Sequence, residues 1–244
     1  MIAIAALLFA TTLPPAPSSV ADGWEGRWAM ELTVATRASL PLLPAVRSST
    51  VSLLLVDIEP AGDGRLRQRH RVCDARAEGG GLARLHLPDR FVTGLPERSY
   101  PLHLAADGGY VADLGKEAIG FDPSVTGGRL PESADAPGVI DGDGDGAPGM
   151  TVLMDVPGRS GIRLHIAQST HLRLHGRATT PDRIAGSVEI VSLDQRTLGA
   201  EPAMFARSPR TSPDSGASGF RMVRLPPAAG CETLRERAGD LFPR

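Results

Sequence analysis

The stretch "TVSLLLVDIEPAGDGRLRQRHRVC", residues 50–73, reads as two strands joined by a turn. Its second half alternates with period two: Leu66, Gln68, His70 and Val72 share one face, and Arg67, Arg69, Arg71 and Cys73 the other. Successive side chains of a strand point to opposite faces, so this run has an inner and an outer side. The first half, residues 50–59, is apolar on both faces, as for a strand covered on both sides. "AGDG" between them supplies the Gly and Asp of a hairpin turn.

The same period extends outward in both directions. Trp28, Met30, Leu32 and Val34 share a face opposite Arg27, Glu31 and Thr33. Shorter runs fall at 83–87, 99–105 and 110–114, with "ADGG" as a second hairpin turn between the last two. Strands resume at 150–156, 162–176 and 183–193, and "FRMVRL" (220–225) closes the series. "CETLRERAGDLF" (231–242) is the one helical pattern, and it is short. Residues 115–149 lack a clean period and are rich in Gly, Pro and Asp, which predicts a long irregular excursion. Residues 197–219 read as a flexible loop by composition. The pattern predicts an all-β fold: an antiparallel β-barrel of about 8–10 strands with a short C-terminal helix, a β-sandwich being the alternative. Residues 22–244 suit a single domain.

Residues 1–21 resemble a secretory signal peptide. An apolar run over residues 2–13 is too short to span a bilayer, and Ser19-Val20-Ala21 places small residues where signal peptidase cuts. The expectation is export to a periplasmic or extracellular space, with no transmembrane segment after cleavage. The net charge of −2 offers no electrostatic case for nucleic acid. Aromatics at 4% are too few for the girdles of a membrane barrel. In an oxidising compartment the two cysteines, Cys73 and Cys231, predict a disulfide that pins the tail helix to the outside of the sheet.

"GRW" (Gly26-Arg27-Trp28) resembles the G-x-W that opens lipocalin-like (calycin-type) barrels. In that family an Arg on the last strand packs over this Trp and closes the base. The matching residue here is Arg224, with Arg221 as the other arginine of that strand. The resemblance implies a barrel with an interior site for a small apolar ligand. A core aromatic on an ordinary strand would leave the same Trp28.

"DGDGDGAPG" (141–149) crowds three like charges into five residues. Asp141, Asp143, Asp145 and Gly146 match the D-x-D-x-D-G calcium loop, in which alternate carboxylates converge on a hard cation. The Ala147 carbonyl falls at the next ligand position. Val152 stands where an EF-hand needs a bidentate Glu, and no helices flank the loop. The expectation is a structural calcium loop closed from elsewhere, by Asp135, Glu132 or Asp155 in that order. A solvated Gly/Asp turn is the competing reading.

Polar residues also interrupt the inner faces. Gln68 and His70 lie among Leu66 and Val72, and Gln168 lies in the face Ile162, Leu164, Ile166, Thr170, Leu172, Leu174. Such groups need partners or a ligand, so Gln68, His70 and Gln168 are candidate pocket residues for a small apolar ligand. No catalytic signature emerges. Asp57 and Glu59 are about 7 Å apart on a strand, but such pairs are ordinary on an outer face. His171 and His175, about 13 Å apart, cannot share one metal with this spacing, and their face with His165 reads as solvated. The leading expectation is a non-catalytic binding or structural module. A hydrolase with a hidden site is the competing class, and an adhesion or envelope module the third, should the outward apolar face of residues 50–59 stay uncovered.

Overall fold

β1 (Gly26–Ser39), β2 (Val46–Gly62) and β3 (Arg65–Gly79) run antiparallel in a continuous meander. The structure is a computed structural model that describes residues 23–39, 46–79, 81–105, 107–208 and 210–243. The expected signal peptide lies outside these residues. The remaining elements are β4 (Arg84–His86), α1 (Asp89–Gly94), β5 (Arg98–Leu104), β6 (Gly109–Ile119), α2 (Pro123–Thr126), β7 (Met150–Val156), β8 (Arg159–Thr180), β9 (Arg183–Glu201), β10 (Arg210–Pro213), β11 (Gly219–Arg224) and α3 (Cys231–Leu241).

Eight of the eleven strands among the described residues close a ring in the order β1-β2-β3-β5-β6-β8-β9-β11 and back to β1. Every ring strand pairs antiparallel with the next ring strand along the chain. The remaining strands attach end to end with ring strands. β7 continues the β8 edge beyond β6 and carries β4, and β10 continues the β1 edge beyond β11.

The double-sided hydrophobicity of β2 has a direct cause. Leu54, Val56 and Ile58 point into the ring and join Trp28, Met30, Tyr110, Leu174 and Met222 in the main core. Leu53 and Leu55 point outward and are covered by α3, against Leu234, Leu241 and Phe242. The Cys73–Cys231 disulfide fastens α3 there, with the two Cα atoms 5.1 Å apart across 158 residues of chain. Arg235 on α3 donates to the Cys73 carbonyl at 2.9 Å. The outward apolar face of β2 is therefore not a free surface.

Three departures from strict alternation explain where strand boundaries differ from expectation. Leu53 pairs with Asp74 and Leu54 with Val72, leaving Cys73 as an extra residue; the inward positions of β3 switch from His70 and Val72 to Ala75 and Ala77. β6 does not stop at Leu114. Gly115, at φ 62°, forms a bulge held by its N–H donating to Asp113 at 2.8 Å, and the strand resumes through Ile119. The irregular excursion expected from residue 115 therefore begins after Ile119. β9 likewise runs on to Glu201, with bulges at Val191 and Leu198, and β10 lies within the segment expected to be loop.

The base of the ring is packed solid. Phe220 lies over Gly176 and Gly186, where an added Cβ would come within 2.6 Å and 2.7 Å of its ring. Tyr110 stands 5.4 Å from Phe220 and 6.4 Å from Trp24, centre to centre. Outside, arginines and carboxylates form ladders such as Arg27–Asp57 and Arg173–Glu189. Among the described residues, no helix is long and apolar enough to cross a membrane.

Candidate ligand site

Above this base the inward residues change character, and the ring holds a cavity of about 300 Å³. Leu54, Tyr100 and Leu172, which also belong to the main core, form its floor. One wall carries the hydroxyls of Thr36, Ser48, Thr50 and Ser52 from β1 and β2. Another carries Gln168 and Thr170 of β8 and Gln195 of β9. A third is apolar: Leu85, Phe91, Leu95 and Val152 come from the β4–α1–β7 appendage. Phe91 and Val152 sit in a small core of their own with Met150 and Ile166, which holds α1 against β7 and β8.

Four ionisable or hydroxyl-bearing side chains gather at one side. Tyr100 donates its hydroxyl to Glu117. The Arg98 guanidinium lies 3.7 Å from the same carboxylate and donates to the Ala118 carbonyl at 3.1 Å. Burial raises the Glu117 carboxyl above its ordinary range, and Arg98 opposes that shift. His70 packs edge-on against Tyr100 with ring centres 5.0 Å apart. Burial pushes its imidazole down to about 3, so it is neutral at pH 7, and its Nε2 is buried with no hydrogen-bond partner.

Of the three polar residues expected in a pocket, His70 and Gln168 line this cavity and Gln68 does not. Gln168 donates to Thr170 at 2.8 Å. Gln68 is fully buried in the base, where the Tyr110 hydroxyl donates to its carbonyl oxygen. Its Nε2 has no partner. The face assignment of Gln68 is as expected, but Tyr110 claims it from across the ring, one layer below the cavity. Glu117 and Arg98 are functional candidates that the sequence period does not single out. Glu117 follows the Gly115 bulge, which breaks the period; the alternation Glu117, Ile119 beyond it is the signal that could have found it.

The acidic loop lies behind α1. Oxygens of Asp141, Asp143 and Asp145 come within 4.8 Å of one another. Asp141 accepts from the N–H of Asp145 at 3.1 Å and of Gly146 at 2.8 Å. Asp143 accepts from Thr151 at 3.1 Å, while its other oxygen is buried without a partner. Burial, with the charges of Asp145 and Asp141, raises the Asp143 carboxyl. The Asp145 side chain is nearly inaccessible, accepts from the Ala147 N–H at 2.9 Å and pairs with Arg163 at 2.6 Å. Three carboxylates against one guanidinium leave two negative charges, and one carboxylate oxygen is unclaimed. These residues fit a divalent cation in charge and donor type. Of the expected closing ligands, Asp135 and Glu132 are exposed and outside this group, and Asp155 is taken by His86 at 3.0 Å and the Gly161 N–H at 2.8 Å. The loop abuts α1, since a Cβ on Gly94 would lie 2.4 Å from the Gly142 carbonyl.

The other singled-out residues have structural partners. Arg224 stacks over Trp28, with the guanidinium carbon 4.2 Å from the ring centre. Asp57 is held by Arg27 through bonds of 2.7 Å and 3.0 Å, and Glu59 by Arg67 at 3.1 Å. His171 meets Asp113 at 2.7 Å on the outer face. His165 departs from the solvated face expected for it: it is buried between its neighbours on β7 and β9, 3.0 Å from the Thr151 hydroxyl and 3.6 Å from the Glu201 carboxylate. Comparison with protein-family models, with curated proteins and with solved structures finds no match to this chain.

Proposed function

We propose that this protein is an exported, lipocalin-like barrel that binds a small, largely apolar ligand inside its ring, with a structural calcium ion on the acidic loop. The cavity carries the reading. At about 300 Å³ it stands at the lower end of the range of small-molecule sites. It combines an apolar wall, which can hold a ligand's body, with walls of hydroxyls and amides, which can orient its polar end. The Cys73–Cys231 bond supports an oxidising compartment. A calcium ion on Asp141, Asp143 and Asp145 would brace α1 and with it the Phe91–Leu95 wall.

Displacement of the neutral dye 1-aminoanthracene tests the reading. The dye should bind with enhanced fluorescence, and Ser52→Trp, which fills the cavity, should abolish binding while the fold is retained. Equal dye binding by the filled variant would place the dye elsewhere and defeat the proposal.

The gathering of Glu117, Tyr100, Arg98 and His70 raises hydrolysis as a second reading. It is less well supported. Glu117 is engaged by Tyr100 and Arg98, and His70 forms no hydrogen bond with any of the three. These four residues thus offer no nucleophile paired with an oriented base. The adhesion reading loses its motive, since α3 covers the outward face of β2.

A further inference from the structure

Resting on the binding reading above, we infer that the cavity selects an uncharged amphiphile, bearing hydroxyl or carbonyl groups, over a carboxylate or ammonium carrying the same apolar body. Arg98 and Glu117 carry the only formal charges among the described residues that line the cavity. They lie 3.7 Å apart and answer each other. Each has a further partner as well: Tyr100 donates to Glu117, and Arg98 donates to the Ala118 carbonyl at 3.1 Å.

A fatty acid would need an unclaimed cation in this space, and an alkylamine an unclaimed anion. Either ligand must break the Arg98–Glu117 pair or leave its own charge without a counterpart, and a buried charge is tolerated only when paired and hydrogen-bonded. His70 offers no charge, being neutral in this setting. Neutral polar groups are plentiful by contrast. The hydroxyls of Thr36, Thr50 and Ser52 line one wall and the amide of Gln195 another, alongside the apolar side chains of Leu85 and Phe91. Hydroxyls and amides both donate and accept, so they can serve an alcohol or a carbonyl without any change of charge state.

The test uses 1-decanol, decanoic acid and decylamine, which share a hydrocarbon chain, as competitors of 1-aminoanthracene on the full chain at pH 7.5. Decanol should compete more than about tenfold better than either charged chain. If the acid or the amine competes as well as decanol, the selection is overturned while the binding reading stands. If the dye itself fails to bind, the binding reading falls and the inference with it. Two variants sharpen the result. Glu117→Gln frees Arg98 and should strengthen decanoic acid alone by about tenfold, and Arg98→Gln frees Glu117 and should strengthen decylamine alone by a similar factor. Gains for both charged chains in one variant would mark a loosened cavity and overturn the pairing argument. Where one variant fails to fold, the other carries the test.

Discussion

The Arg224 guanidinium carbon lies 4.2 Å from the centre of the Trp28 ring, and the two residues face each other across the β1–β11 pair. That pair joins the first ring strand to the last. Arg224 also donates to Asp182 in the β8–β9 turn at 3.0 Å, to the Glu25 carbonyl at 2.8 Å and to the Gly23 carbonyl. One side chain thus ties together three segments distant in sequence at the closed base. A cation over an indole contributes about 0.5–2 kcal/mol, and each charge-assisted hydrogen bond adds a net amount of similar order. Arg224→Ala should lower unfolding stability by about 2 kcal/mol, and Arg224→Lys should recover only part, since an ammonium lacks the planar fork. Trp28→Ala should remove about 3–5 kcal/mol. Urea unfolding midpoints at constant slope measure all three. A shift within noise for Arg224→Ala would deny it this role.

What could be read in advance follows the range of the interactions. Strand identity is local: the two-residue period of residues 65–73 and the both-sided hydrophobicity of residues 50–59 are properties of the segments themselves. The cover on the outer face of β2 was legible as a demand, and the two cysteines put the tail helix on the outside of the sheet, though not on β2 in particular. Bulges were illegible because one added residue inverts every later face, as after Cys73 and at Gly115. The candidate site suffered most from this. Glu117 lies beyond the Gly115 bulge, and Arg98 joins it from β5, so their pairing depends on register between strands. Gln68 and His70 share one face of one strand, yet only His70 reaches the cavity. The difference is Tyr110, arriving from β6 to claim Gln68.

The C-terminal helix should depend on its disulfide. A bond closing a loop of 158 residues removes unfolded-state entropy worth about 5 kcal/mol in the chain-entropy model, an upper figure. The double substitution Cys73→Ala, Cys231→Ala should destabilise by a large part of that. Leu234→Ala should cost about 2–5 kcal/mol, because Leu234 is fully buried on the inner face of α3. Hydrogen exchange supplies a local readout: in the double variant the α3 amides should exchange faster than those of β8. Unchanged protection of α3 would show that its apolar face suffices without the bond.

The acidic loop carries a metal-removal prediction. With calcium bound, chelation should lower the melting temperature, and millimolar calcium should restore it. Asp143→Asn should abolish the calcium response without unfolding the protein, since its Thr151 contact can survive in the amide. If the ion is absent, the same substitution should instead stabilise the apo protein, because it removes a half-buried carboxylate crowded by Asp141 and Asp145. Melting curves with and without calcium separate the two outcomes. Identical curves for the unmodified protein would leave Arg163 as the sole counter-charge of the loop.

Acid should weaken the fold through His70. Its folded value is depressed to about 3 by burial, against about 6.5 when unfolded. Between those values the unfolded chain binds a proton that the folded chain refuses, so stability rises with pH across that interval and falls as acid is added. The loss begins near pH 6.5, proceeds at up to about 1.4 kcal/mol per pH unit and amounts to a few kcal/mol on reaching the folded value. Carboxylates held low by partners, Asp57 by Arg27 and Asp113 by the Gly115 N–H and His171, lose their contributions further into acid, as pH falls through the ordinary carboxylate range. The interval from pH 5 to 6.5 therefore separates the imidazole from them. His70→Phe keeps a ring against Tyr100 and cannot titrate. Its stability curve over that interval should be flatter than that of the unmodified protein by close to one proton. Parallel curves would mean that the folded protein accepts a charge at His70 without penalty, and that the imidazole is less confined than its contacts with Tyr100 and the cavity floor require.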